Sequence, residues 1–446
     1  MSNKIDMTTG AIFPKLVKFA VPLILSSVLQ LLFNAADIVV VGRYAGDNSL
    51  AAVGSTSSLV NLLVNFFIGL GVGCNVVAAN FLGAGKKDEL NRTVHTTMVL
   101  SVIGGITLTL VGVLFSRQIL VLMSSPGEVL PLSTLYLKVF FGGITATVIY
   151  NFGAALLRAK GDTKRPLYIL LVAGVINVVL NLIFVVCFHL DVAGVAFATV
   201  LSQIFSASCV IFILCHEEEE FRLDFRRLCL DREILPRIVR IGLPAGFQGM
   251  LFSFSNMIIQ SSINSFGAVM VAGNSASQSI EGFVYISMNS FAQGTLTIAA
   301  QNMGAHKFDR IRRLIFIAEG VVICVGIVLS MTGYFFGRSL FSIYSKNPLV
   351  IDAGMRRLRI ILLTYFTCGM MDCMASAIRG IGHSVMPMIV TLIGACGLRI
   401  VYLLTFFRIP RFHTFESIFY SYPISWTVTF VFLTASFVWI MRRIER

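Results

Sequence analysis

Charge is what this sequence has least of. Only 13% of its 446 residues are Asp, Glu, Lys or Arg, while 56% are hydrophobic and the mean hydropathy is +0.85. A water-soluble fold carries roughly a quarter of its residues charged, so that class is excluded. Paired cysteine motifs are missing as well. The nine cysteines show no CxxC spacing, most lie in apolar stretches, and they read as small buried hydrophobes. The six histidines stand apart, with no HExxH or comparable pair, so no resident metal site is expected. No GxxxxGKS or GxxxxGKT phosphate loop is present, which argues against direct coupling to ATP, and GxSxG is absent. Gly71-Val72-Gly73 lies inside an apolar stretch rather than after a strand. An enzyme is therefore the least supported class, and no cofactor is expected.

What is present is apolar sequence in long runs. About 20 mostly apolar residues cross a hydrocarbon core of about 30 Å. Twelve segments meet that need, at about 15–41, 51–81, 92–115, 132–157, 165–188, 193–215, 237–263, 273–303, 311–336, 350–378, 386–408 and 415–441. The expected class is an all-α integral membrane protein. The first fourteen residues are polar and mixed, and the apolar stretch after them is too long for a signal-peptide core, so it is expected to stay as the first helix.

The formal net charge of +13 invites a nucleic-acid reading, but its distribution argues otherwise. With both termini placed in the cytoplasm, 24 Lys and Arg, from Lys4 to Arg446, fall on the inner side and 6 on the outer. That is the positive-inside bias of a multi-pass plasma-membrane protein. It calls for no acidic partner.

The chain also repeats itself. Slid along itself until Gly83 meets Gly304, the first half aligns with the second without a gap over a long stretch. In that register Ala84, Lys86 and Asp88 meet Ala305, Lys307 and Asp309; Gly105, Gly112 and Arg117 meet Gly326, Gly333 and Arg338; Arg158, Gly161 and Pro166 meet Arg379, Gly382 and Pro387. Moved by a single further position, Pro22 and Asn34 meet Pro244 and Asn256. Each half holds an even number of spans, so the two share one orientation and are related by a pseudo-two-fold axis along the membrane normal. This predicts an N-terminal six-helix lobe at 1–215, a solvated cytoplasmic linker at 216–236 and a C-terminal six-helix lobe at 237–446.

Ionisable side chains are costly inside a bilayer, by about 2.5–3.5 kcal/mol on insertion scales, and usually mark function. Asp37 stands well inside the first span, with Gln30 and Asn34 on the same helical face. Asn177 and Asn181 form an i, i+4 pair in the fifth span, and Thr199 lies in the sixth. Their oxygens suit a carboxylate or a hard cation, so Asp37, Asn177, Asn181 and Thr199 are the candidate cation-coupling set, able to take a proton or Na⁺. Gln30, Asn34, Asn65 and Asn151 are candidate cavity residues, with Asn61 beside Asn65. The second half carries Glu281, Asp372 and Arg399, expected as one polar network in which Arg399 pairs with Glu281 or Asp372. Glu319 is expected to reach water. Lys138, Arg356, Arg357 and Arg359 are placed near outer helix ends, where long side chains reach the interface.

These residues resemble the multidrug and toxic compound extrusion (MATE) family over nearly the whole chain. The resemblance rests on Pro22, Phe33-Asn34 through Asp37, Val41-Gly42-Arg43, Gly83-Ala84-Gly85 and Leu157-Arg158-Ala159-Lys160-Gly161-Asp162, with echoes at Gln301 to Ala305 and Ile378 to Gly382. The pattern is similar to the prokaryotic DinF-like branch. The resemblance implies twelve helices in two lobes and export of organic, often cationic, compounds against inward flow of H⁺ or Na⁺. It also implies a first-lobe cation site around Asp37, with partners at Asn177, Asn181 and Thr199. Related proteins often carry a second Asp where this chain has Asn181, which leaves the coupling ion open between H⁺ and Na⁺. A carboxylate in the middle of the seventh helix, present in other branches, is absent, and Asp372 stands about a turn from the family's position.

The expectation is an antiporter working by alternating access. The alternative is a lipid-linked precursor flippase of related architecture, which calls for more mid-membrane cations than the first lobe carries. Expected partners are small organic molecules and membrane lipids, not nucleic acid, with the chain acting as a monomer.

Overall fold

The computed structural model describes residues 5–123 and 127–445. Lys4 and Arg446, counted in the charge asymmetry, lie outside the described residues. The described chain is helical: α1 Ile12–Tyr44, α2 Asp47–Gly83, α3 Lys87–Leu122, α4 Leu130–Ala159, α5 Lys164–Leu182, α6 Asp191–Cys215, α7 Ile234–Asn264, α8 Ala268–Gly304, α9 Phe308–Phe335, the short α10 Gly337–Tyr344, α11 Pro348–Gly380, α12 Val385–Thr391, α13 Leu398–Leu404 and α14 Phe415–Ile444. Most helices run several residues past the apolar segments read from sequence, because a helix continues into its polar ends until a cap or glycine stops it. Two features had no sequence signal. The fifth span ends in a π-helical turn, Ile183–Cys187, and the eleventh is a composite of α12, a π-helical stretch at Leu392–Gly397, and α13.

Ten of the spans are long and apolar enough to cross a membrane. The long, more polar α7 and α8 complete twelve. No span is broken by its internal proline, at Pro22 in α1, Pro244 in α7 and Pro423 in α14; packed neighbours make such prolines tolerable in lipid.

The repeat seen in the sequence extends to the backbone. Left-handed turns occur at Gly46, Gly85 and Gly161, with φ of 84°, 69° and 89°. Their counterparts in the register that pairs Gly83 with Gly304 are Gly267, His306 and Gly382, with φ of 90°, 55° and 90°. The packing repeats too. A Cβ at Gly105 or Gly112 would press on Thr145 or Phe141, so α3 and α4 approach closely there. Gly326 and Gly333 stand in the same relation to Phe366 and Leu362, all four in that same register, and bring α9 against α11. Without a hydrophobic driving force between helices in lipid, such small-residue contacts supply much of the association.

By contact, the chain forms two compact units: residues 1–6 with 25–242, and residues 7–24 with 243–446. The division falls just past Pro22 and just before Pro244, within α1 and α7. In the first unit the start of α7 packs on α2, where a Cβ at Gly73 would lie 2.3 Å from the Ile238 carbonyl oxygen. In the second unit the start of α1 packs on α8, where a Cβ at Gly294 would lie 2.8 Å from Leu16. Residues 7–24 thus pack with the later half of the chain, although the repeat places them in the earlier one.

Most residues of the linker after α6 are exposed, as expected, but several of its side chains are tied down. The linker docks on the first unit. Glu217 and Lys160 are nearly buried and ion-paired, and Arg165 pairs with both Glu217 and Asp162. Asn91 of α3 donates to the carbonyls of Glu219 and Arg222 at 2.9 and 3.0 Å, and Arg92 holds Asp231. Burial pushes the Glu217 carboxyl up, but Lys160 and Arg165 outweigh it and hold the group below the usual carboxylate range.

Candidate functional site

In the first unit, Asp37 sits in the last third of α1, packed one turn from a cluster of small side chains formed by Val40, Val41, Ala52, Val53, Val129, Val185, Val192 and Val195. The side chain is half-buried. It meets α5 because Gly174 lets α1 in. A Cβ at Gly174 would lie 1.7 Å from the Phe33 ring. Phe33 is one turn before Asp37 and Gly174 one turn before Asn177, so this close approach brings the polar side chains of the two helices together.

The result is a continuous chain of hydrogen bonds. The Asn181 amide donates to the Asp37 carboxylate and, at 3.2 Å, to Asn177 Oδ1. The Asn177 amide donates at 3.4 Å to Thr199 Oγ1 of α6. Asn177 and Asn181 are 6% and 0% exposed. Asn181 Oδ1 is buried without a hydrogen-bond partner among the described residues, an acceptor that costs about 1–3 kcal/mol while unmet. The site is one carboxylate surrounded by neutral oxygens, a donor set suited to a proton or a hard monovalent cation. Tyr136 of α4 lies close enough to interact with the Asp37 charge; it escaped the sequence reading because nothing in its own helix marks it.

The remaining candidates do not join this cluster. Gln30, Asn34 and Asn65 are exposed. Asn151 turns back on its own helix and donates to the Thr147 carbonyl at 2.8 Å.

In the second unit, Glu281 takes a different partner from the one expected, while Asp372 and Arg399 interact by charge without hydrogen-bonding each other. Glu281 pairs with Arg357 and not with Arg399. Arg357 Nε and Nη2 donate to its two oxygens at 2.9 and 2.7 Å, Asn274 accepts from Arg357 Nη1, and Ser277 donates to Glu281 at 2.8 Å. Arg357 is 3% exposed and does not reach the interface. The signal was in the sequence: Val350, Ala353, Gly354, Leu358, Ile361, Leu362 and Tyr365 make a buried stripe on α11, and Arg357 falls within it. Asp372 lies beside Tyr285 and Asn289 of α8, with the Arg379 and Arg399 charges near enough to act on it. Arg399 faces α14 because the π-helical stretch resets the phase of α13. There its Nε donates to Ser425 at 2.9 Å, and the guanidinium lies over the rings of Tyr422, Trp426 and Phe252. Glu319 does not reach water either; it is buried beside the Cys373 thiol, because its turn of α9 packs on α8 and α11 rather than at the helix end.

Comparison with known proteins adds an independent line. The MatE family model matches residues 22–183 and again residues 244–405, so its two copies begin at the paired prolines Pro22 and Pro244. The chain is 28% identical over 441 residues to the probable multidrug resistance protein YoeA of Bacillus subtilis, covering 96% of this chain and 94% of that one. It is 25% identical to the probable multidrug resistance protein NorM of Thermotoga maritima, over 85% and 82% of the two chains. Among solved structures, a MOP superfamily transporter from Pyrococcus furiosus aligns over the whole chain and 99% of its own, with TM-score 0.92 at 20% identity. An outward-facing multidrug resistance MATE family transporter aligns with TM-score 0.91 at 21% identity, over 100% and 98% of the two chains.

Proposed function

Because this chain belongs to the MatE family of multi-pass membrane transporters, we propose that it is a secondary antiporter that exports organic, often cationic, compounds in exchange for H⁺ or Na⁺ by alternating access. It is a transporter rather than an enzyme. The observation that carries the exchange reading is the hydrogen-bonded chain from Asp37 through Asn181 and Asn177 to Thr199.

When Asp37 is ionised, the bond it accepts from the Asn181 amide is charge-assisted and worth about 1.5–3 kcal/mol. A proton or Na⁺ arriving at Asp37 cancels the charge that this donor reads. The amide then turns, and its unmet Oδ1 becomes available to the newcomer. Each step alters a contact between α1 and α5, so occupancy of one oxygen changes how two spanning helices are held. Alternating access needs only that the altered contact favour one of two arrangements. Asn181 in place of a second Asp leaves one negative charge at the site, which a single monovalent cation neutralises. Small organic molecules are the expected substrates, with both termini cytoplasmic in the plasma membrane and the chain working as a monomer.

Everted vesicles carrying the full chain test this reading, with a fluorescent organic cation as cargo and a pH or Na⁺ gradient imposed singly. Wild-type protein is expected to move the dye under one gradient, and Asp37→Asn to lose at least tenfold in rate. Undiminished gradient-driven transport by Asp37→Asn would overturn the mechanism.

A further inference from the structure

The second unit holds a buried positive charge that the coupling site does not use. Arg399 is 1% exposed, within a membrane span. Arg357, equally deep, has the Glu281 carboxylate at 2.7 Å. Arg399 has only the neutral Ser425 hydroxyl on its Nε, and its Nη2 is buried without a hydrogen-bond partner among the described residues. Arg cannot shed its proton; the Asp372 carboxylate is near enough to act on the Arg399 charge but makes no ion pair with it, and a buried charge compensated only at a distance costs several kcal/mol. Cation–π contact offsets part of this: the guanidinium carbon is 4.1 Å from the Tyr422 ring centroid, 5.5 Å from Trp426 and 5.6 Å from Phe252.

A second observation points the same way. The indole Nε1 of Trp426 is also buried without an acceptor among the described residues. Two unmet N–H donors, one of them charged, therefore stand in one cluster lined by flat aromatic rings. Buried donors in folded proteins are almost always satisfied, and a pair like this lacks an acceptor with two oxygens. The adjoining Leu392–Gly397 stretch is π-helical and packs tightly on α14, where a Cβ at Gly394 would lie 2.2 Å from Thr429 Oγ1. Wide turns of this kind recur beside functional sites.

We propose that Arg399 and Trp426 form an anion subsite that takes the carboxylate of an aromatic organic acid, its two oxygens accepting from Arg399 Nη2 and Trp426 Nε1 and its ring lying among Tyr422, Trp426 and Phe252. As a substrate site it rests on the export reading above; as an anion site it does not. It extends the cargo from cations to compounds that carry a carboxylate.

Benzoate and benzamide share a shape and differ in charge, so they are the probes. The chain has two tryptophans, and Trp439→Phe leaves Trp426 as the sole indole reporter. Titration of the purified full chain in detergent, read by Trp426 emission, is expected to give a saturable response to benzoate at least tenfold tighter than to benzamide. Arg399→Gln is expected to bring the two probes within about twofold, and Arg399→Lys to keep part of the preference. Equal affinities in the wild type, or an undiminished benzoate preference in Arg399→Gln, would overturn the proposal. If Arg399→Gln does not fold, the wild-type comparison and Arg399→Lys decide it alone. Benzoate preference in a wild-type protein that exports no dye from everted vesicles would defeat the export reading and leave the anion site standing.

Discussion

Glu281→Gln isolates the energetics of the buried ion pair in the second unit. The pair is bidentate, with the Arg357 and Glu281 side chains 4% and 6% exposed, and Arg357 also lies 5.1 Å from the centroid of the Phe419 ring. Replacing the carboxylate by an amide keeps the shape and one acceptor but leaves the Arg357 charge without a counter-ion. Breaking a buried pair from one side costs about 3–5 kcal/mol. For a unit of this size each kcal/mol moves the melting temperature by about 2–4 °C, so a fall of about 6–20 °C is expected, read by thermal denaturation in detergent. The double variant Glu281→Met with Arg357→Met removes both charges and both desolvation costs. It is expected to recover most of the loss, as apolar replacement of buried pairs commonly does. A shift under about 2 °C for Glu281→Gln, less than the smallest expected for one kcal/mol, would show that the pair is effectively hydrated. A double variant as unstable as the single one would show that Asn274, Ser277 and packing hold this region instead.

Two further expectations follow from the first unit. Gly174→Ala puts a methyl into the Phe33 ring, so α1 must withdraw from α5; a loss of about 1–3 kcal/mol should accompany reduced gradient-driven dye export, and unchanged export would show that Asp37 does not depend on this approach. Glu217→Gln should cost about 1–3 kcal/mol near neutral pH, because Lys160 and Arg165 lose a shared carboxylate. Since the folded carboxyl lies below its unfolded value, this stabilisation is present above about pH 4.3 and is lost as pH falls through the folded value. The wild-type melting temperature should therefore drop toward that of Glu217→Gln in acid, and a gap that stays constant with pH would refute the pairing.

How far the sequence could be read depended on whether a feature lies along one helix or between helices. Asp37, Asn177 and Asn181 announce themselves because a carboxylate or an i, i+4 amide pair in an apolar span is rare and its face follows from spacing alone. The repeat was visible for a related reason. Gly105, Gly112 and their counterparts Gly326 and Gly333 are held by contacts that recur, on residues that are themselves paired by the repeat, so side-chain size is constrained in parallel. Pairing across helices leaves no such trace. Arg356, Arg357 and Arg359 are near neighbours in sequence, and which one turns inward is settled by the stripe on α11, where a rotation of about 100° per residue separates burial from the surface. Arg399 could not be paired from sequence at all. The π-helical stretch before it changes the helical phase, so a count in steps of about 3.6 does not carry through to its face. The same limit applies to the division of α1 and α7. A proline at a repeated position marks a place where a helix can bend, but that residues 7–24 pack with the later half of the chain depends on Gly294 admitting Leu16 and Phe19. That small residue is the counterpart of Gly73, which admits Ile238 in the first unit. Each half thus presents, on its second helix, a glycine shaped for the start of the other half's first helix, and the chain boundary between the repeats is for this reason not the boundary between the packed units.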